Sequence, residues 1–358
     1  MPLEKIGRDE EGENDDITRY IRSTLRAIAR QYGCKEDETS TTTIKQLSER
    51  ANGLFIYAAT ACRFLDAGDF ADPDDRQDRL DLILEASSDT DDWGEDGPQN
   101  HIDDIYLKVL SYPAREKLSP RAMGMTYEMM ENTLGFLVTV FQPVTIPSLE
   151  GFVQSVHETP GSVPDRLERL LKKLQAIITI PTDDKSPLEL MHLSFRDFIL
   201  SRERTKNLMF EVVEAEMHQK AFIYCLNVMS NELRQDMCGL NWPGTMASEI
   251  SAERIERHIR PHLRYVCHYW VDHLERLDQL NQQEVGLLDG GRVHTFLQKS
   301  FLYWLEVMAL IKETATAILV INKLQALVQV RGSLRYLPRA LTTPSSRTTR
   351  SYLFWSTI

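Results

Sequence analysis

The sequence predicts a mainly α, multi-domain helical array that contains one winged-helix unit with a short β-hairpin. Three observations carry that expectation. Apolar residues recur at helical spacing along most of the 358-residue chain. Strand-like runs are confined to Val144–Ile146, to IITIP (residues 177–181) and to LELMHLS (residues 188–194). Between residues 125 and 200 the order is helix, short strand, helix, turn, helix, hairpin, which is that of a winged helix, an elaborated helix-turn-helix. A hydrophobic content of 42% supplies packed cores for two or three such domains.

Residues 1–14 are acidic and aperiodic and are expected to be disordered. A helix then opens at Asp15 and Asp16, whose carboxylates suit the positive end of a helix dipole, and aligns Ile17, Ile21, Leu25, Ile28 and Ala29 before stopping near Gly33. A second helix ends near Asn52-Gly53. A third, Leu54 to about Leu65, is apolar on every side and is expected to be buried on several faces. A short helix with Leu80, Ile83 and Leu84 turned inward leads to an acidic linker over 86–100, and HIDDIYLKVLS (101–111) restarts the helical period until Pro113.

In the central part, MMENTLGFLVTVF (129–141) reads as a buried helix ended by Gln142-Pro143. Pro147 fits the first position of the next helix. The run PDRLERLLKKLQAI (164–177) places Leu167, Leu170, Leu171 and Leu174 on one face. Two strands follow, and then a helix with Ser194 at its N-cap and Asp197 three residues on. The domains are therefore 15–112, 125–200 and a helical arm over 208–330, with an aperiodic basic tail over 331–358 expected to be disordered.

The net charge is −12 and falls wholly within residues 1–100, which hold 12 basic and 24 acidic residues; the remainder holds 29 of each. That distribution argues against a general nucleic-acid binder, which needs a basic face. Five cysteines (34, 62, 225, 238, 267) show no C-x-x-C spacing, the usage of a reducing compartment. No apolar leader opens the chain, and its longest apolar runs are too short or too interrupted to span a bilayer. A cytoplasmic protein without membrane partners is expected.

Few constellations invite chemistry. There is no G-x-x-x-x-G-K-[ST] loop to cradle nucleotide phosphates and no G-x-S-x-G elbow. We expect no enzyme activity, no catalytic residue and no metal. PDRLERLLKKLQAI carries a net +2 and could track phosphates, but the chain around it lacks a basic field. His258, His262, Cys267, His268 and His273 suggest zinc, yet Pro261 interrupts the first pair, and His262 and His273 lie three turns apart. An aromatic–histidine packing face is the expectation there. LDLILE (80–85) could pass for the strand before a Walker acid, but its flanks are helical.

With these residues in view, the runs LSERANGLFIYAATACRFL, DDIYLKVLS, LGFLVTVFQPVTIPSLEGFV, MHLSFRDFIL, RPHLRYVCHYWVDHL and FLQKSFLYWLEVMALI resemble, in the same order, the segment behind the ATPase core of NACHT-type proteins. These are STAND-class, NLR-like switches of the filamentous-fungal kind, and the resemblance spans about residues 15–315. It implies that 15–112 are the end of the core plus a small helical domain, 125–200 the winged helix and 208–330 the helical arm. It also implies that His192 is the winged-helix histidine that contacts the β-phosphate of ADP once a nucleotide core is supplied. The Walker loop and the sensor repeats of that family would lie outside this sequence.

The function expected is thus that of a non-catalytic regulatory segment of a NACHT/NLR-like signalling ATPase. It would have no cofactor of its own, with ADP or ATP bound only in a full-length context. Its partners would be proteins, among them full-length NACHT-like relatives or itself. The alternatives are a free-standing helical adaptor or scaffold and a winged-helix DNA-binding regulator.

Overall fold

The computed structural model describes residues 16–32, 40–67, 73–85, 98–115, 118–157, 163–240, 245, 249–277, 286–287 and 290–329. The acidic lead, nearly all of the 86–100 linker, Cys34 and the 331–358 tail lie outside the described residues. Within them are fifteen α-helices and one two-stranded antiparallel sheet, so the chain is mainly α.

The helices are α1 (Asp16–Tyr32), α2 (Thr41–Ala51), α3 (Phe55–Asp66), α4 (Pro73–Leu84), α5 (Pro98–Ser111), α6 (Pro120–Thr139), α7 (Ile146–Val156) and α8 (Val163–Lys173). Strands β1 (Ile178–Thr179) and β2 (Glu189–Leu190) follow, then α9 (Leu193–Ile199), α10 (Glu214–Glu232), α11 (Ala252–His258) and α12 (Pro261–Glu275). The last three are α13 (Arg292–Lys299), α14 (Phe301–Leu310) and α15 (Thr314–Gln329). In the sheet Ile178 faces Leu190 and Thr179 faces Glu189, the expected hairpin, and a further isolated bridge joins Thr145 to Pro187.

Contacts gather the described residues into two compact units. Unit 1 takes those up to Met130, Pro164–Ile180 and Glu189–Glu211; unit 2 takes Glu131–Val163, Pro181–Leu188 and those from Val212 onward. The stretch 125–200 therefore contributes to both.

In unit 1, α1, α2 and α3 pack on one another, and α3 also meets α4 and α5. Of the expected α1 stripe, Ile17, Ile21, Leu25 and Ile28 are buried, as their spacing requires, while Ala29 at its edge is half-buried. Ser40 caps α2 by accepting a bond from the Thr43 N–H, while Asn52 closes that helix in the left-handed region at φ 44° with Gly53 at φ 78° behind it. Helix α3 buries Tyr57, Ala58, Ala61, Cys62, Phe64 and Leu65, which matches its all-round apolarity.

In α4 the inward set differs from the sequence expectation. Leu82 is buried beside Leu80 and Ile83, and Leu84 is half-buried, because α4 packs against both α3 and α5 and no single 3.6-residue stripe covers two neighbours. Cations from other helices close the C-terminal ends. Arg79, 2% exposed, donates to the Phe64 carbonyl at 2.9 Å and pairs with Asp75 at 2.9 Å, its guanidinium lying over the Phe64 and Tyr112 rings. Lys108 donates to the carbonyls of Ile83 (3.1 Å) and Glu85 (2.9 Å), and Arg50 to that of Leu84 (2.6 Å). These carbonyls would otherwise lack partners at a helix end, where the dipole favours positive charge.

In unit 2 the pairing of α10 with α12 forms the centre, with α7 against both, α15 against α12, and α13 and α14 alongside. Phe136 and Phe152 stack at 4.0 Å, with Tyr224 edge-on to each. Trp270 and Trp304 meet edge to face, and the Trp304 indole N–H donates to the Cys267 carbonyl at 2.9 Å. At Gly135 α6 leaves no room for a side chain against α10, since a Cβ there would sit 2.4 Å from the Met217 sulfur. The long C-terminal helical run breaks twice, at Ser300 and near Lys312, which adopts φ 64°.

Candidate functional site

The His192 site is built on unit 1. β2 delivers the chain through Met191 to His192, whose extended backbone (φ −155°, ψ 142°) ends the strand and starts α9. The sequence reading put Ser194 at the N-cap, but the cap is His192 itself. Its Nδ1 accepts the Ser194 backbone N–H at 3.1 Å, satisfying one of the donors a helix N-terminus leaves open. Ser194 instead turns its hydroxyl into a second contact. Its Oγ lies 2.8 Å from His192 Nδ1 and 2.8 Å from the Tyr106 hydroxyl on α5.

The surroundings hold this arrangement firmly. Tyr106 is buried, edge-on to Phe195 and tilted on Phe198, both buried on α9. Burial raises its phenol above the ordinary value, the Ser194 contact opposing, so it keeps its proton. One turn before Tyr106, Asp103 takes Arg204 in a two-point pair, Nε to Oδ2 at 2.9 Å and Nη2 to Oδ1 at 2.5 Å. Their side chains are 7% and 16% exposed. The imidazole itself is exposed, between Met191 and Leu193, the latter 79% exposed. Arg63 and Thr179 both contact the Met191 sulfur.

The other residues singled out from sequence are dispersed. His258 bonds the Arg254 carbonyl (2.8 Å), His262 meets Glu232 (2.8 Å) and His268 lies 3.9 Å from Glu313. Cys267 is buried, with its thiol pushed up by burial. Each of these three histidines thus has a partner of its own, and among the described residues no group of three or more His, Cys, Asp or Glu side chains is placed to hold a metal. LDLILE lies in α4 and its following turn, not in a strand. On α8, Lys172 pairs with Glu168 at 2.8 Å and Arg166 turns to the Met125 sulfur, so part of the basic face is engaged.

His273 belongs to a buried cluster in unit 2 that sequence reasoning only half found. Its Nδ1 is 2.8 Å from Nδ1 of His218, and its Nε2 is 2.9 Å from the Tyr265 hydroxyl. Phe141 packs on both imidazoles. Burial, with the neighbouring His218 second, holds His273 well below the ordinary histidine value. His218 lies 55 residues away, and no local pattern joins the two.

Among known proteins, the chain is similar to vegetative incompatibility protein HET-E-1 of Podospora anserina, at 26% identity over 302 residues. The match takes in 80% of this chain and 20% of the relative, so the chain spans about a fifth of the length of that relative. It supports the coarse form of the resemblance, to NLR-like proteins of fungi. No family model matches the chain, and no solved structure matches it. No described helix is long and apolar enough to cross a membrane.

Proposed function

We propose that this chain is the non-catalytic regulatory segment of a NACHT/NLR-like signalling ATPase, with a winged helix over 125–200 between a small helical domain and a helical arm. It acts through protein–protein contacts in the cytoplasm and carries no reaction of its own. The observation that supports this reading most is the exposed His192 ring at the β2–α9 junction, braced by Ser194 and Tyr106. It stands in the run whose resemblance implied a diphosphate contact. A ring nitrogen bearing hydrogen, on an exposed and braced imidazole, suits a phosphate oxygen as acceptor. His192 would hold that oxygen as one donor only; the P-loop cradle and its lysine are not in this sequence.

A calorimetric titration of the chain with ADP and with ATP tests the claim. No binding tighter than about 10 μM is expected for the chain by itself. Tight binding would show a nucleotide site complete within these 358 residues and overturn the reading. Co-purification with full-length HET-E-1 tests the partner side of the proposal.

The free-standing adaptor reading draws on a different feature, the exposed Leu302, Ile318 and Leu319 on α14 and α15. Replacing these three by Ser would abolish partner capture under that reading and spare it under ours.

A further inference from the structure

The structure assigns Tyr106 and Ser194 as positioning residues that hold His192 in one tautomer, Nδ1 as acceptor and Nε2–H as the ring's available donor. The use of that donor toward an anionic ligand rests on the function proposed above; the tautomer itself does not.

The argument is one of proton directions. A backbone N–H can only donate, so the 3.1 Å contact from Ser194 N requires a lone pair on Nδ1. A neutral imidazole carries one N–H, which must then be at Nε2. The hydroxyl chain runs the same way. Either hydroxyl can donate across the 2.8 Å Tyr106–Ser194 contact, and with the Ser194 O–H spent on Nδ1, also across 2.8 Å, it is the Tyr106 O–H that donates to Ser194 Oγ.

The opposite tautomer would set an Nδ1–H against the Ser194 N–H and leave α9 without its cap. It would also require both hydroxyls to reverse. Among the described residues Nε2 has no hydrogen bond, and the ring is exposed, so the donor is left available for a ligand. Tyr106 sits on α5 and Ser194 on α9, 88 residues apart, so the hydroxyl chain that reinforces the tautomer set by the α9 cap depends on α5 and α9 being docked. Phe195 and Phe198, edge-on and tilted against the Tyr106 ring, and the Arg204–Asp103 pair maintain that docking.

The test uses the full chain with 15N-labelled histidine, and long-range 1H–15N spectra that separate the two tautomers. The His192 signals are assigned by their loss in His192→Gln. In the wild-type chain we expect the Nε2–H form to exceed the other on the order of tenfold, the ratio that about 1.4 kcal/mol sustains. The Tyr106→Phe, Ser194→Ala double variant keeps the residue-194 backbone N–H on Nδ1 but loses the hydroxyl chain, so the Nε2–H form should still lead while the minor form rises measurably above its wild-type share. An unmoved signal from His101 on α5, whose Nε2 lies 3.2 Å from Asn52 at the end of α2, would certify that unit 1 of the variant is folded. An Nδ1–H form in the wild type, or an identical pattern in the folded double variant, overturns the assignment.

A second arm adds inorganic pyrophosphate at millimolar concentration. Movement of the His192 Nε2–H signal alone supports donor use. A fixed tautomer with no movement keeps the positioning role and overturns the phosphate contact in the proposed function.

Discussion

The buried histidine pair makes the stability of unit 2 depend on pH in a direction the geometry fixes. In the folded chain His273 is held well below its ordinary value of 6.5 by burial and by His218, whereas in the unfolded chain it titrates near that value. The unfolded state therefore binds more protons below pH 6.5, and stability rises with pH there. The contribution is fully present above about pH 6.5 and is lost as pH falls from there toward the folded-state value. One histidine kept neutral in the fold while the unfolded chain protonates costs about 2 kcal/mol between pH 7.5 and 5.0, from 1.36 kcal/mol per pH unit.

The pair cannot take up two protons and keep its bond, because two Nδ1–H groups would then face each other across 2.8 Å. Urea unfolding followed by tryptophan fluorescence reads this unit, since Trp270 and Trp304 are buried in it. Carboxylates elsewhere add their own slope, so the decisive comparison is with His273→Gln. That variant loses a fixed amount of packing but should show a pH 7.5-to-5.0 difference smaller by about 2 kcal/mol. Equal pH differences in the two chains, or a wild type that gains stability toward pH 5, would refute the reasoning.

Three further outcomes follow from particular contacts. Gly135→Ala brings a Cβ onto the Met217 sulfur and should cost about 1–3 kcal/mol in thermal or urea unfolding, as overpacking does; a neutral result would mean that Met217 has room to turn. Arg204→Ala leaves the Asp103 carboxylate mostly buried and unpaired at a cost of about 3–5 kcal/mol, and adding Asp103→Asn should restore part of it. Burial raises the thiols of Cys62, Cys225 and Cys267, so a thiol reagent should leave these three untouched until the chain is unfolded.

What could be read from the sequence was local. The α1 stripe, the stop at Asn52-Gly53, the end of α5 near Pro113 and the facing strands Ile178–Thr179 and Glu189–Leu190 all arise from patterns within a few residues, and they appear where expected. The N-cap of α9 was misread by two positions, because the rule of a hydroxyl or carboxylate cap does not anticipate an imidazole taking that bond. The breaks at Ser300 and Lys312 carry no glycine or proline to announce them. His192 was found through a resemblance, but its brace was not, since Tyr106 is a core aromatic in sequence and becomes a hydroxyl donor only once α5 meets α9. The His218–His273 bond escaped for the same reason: pairing across 55 residues is decided by tertiary packing.

The division of the chain into two units has a practical corollary for anyone who would dissect it. The backbone changes unit after residues 130, 163, 180, 188 and 211, so neither body corresponds to one uninterrupted stretch of gene. A fragment ending at Met130 holds Tyr106 but not His192, and one starting at Pro164 holds His192 but not Tyr106. Deletion mapping by single end-points will therefore report the collapse of both halves as though each residue removed were functional; only internal point changes can tell the two effects apart.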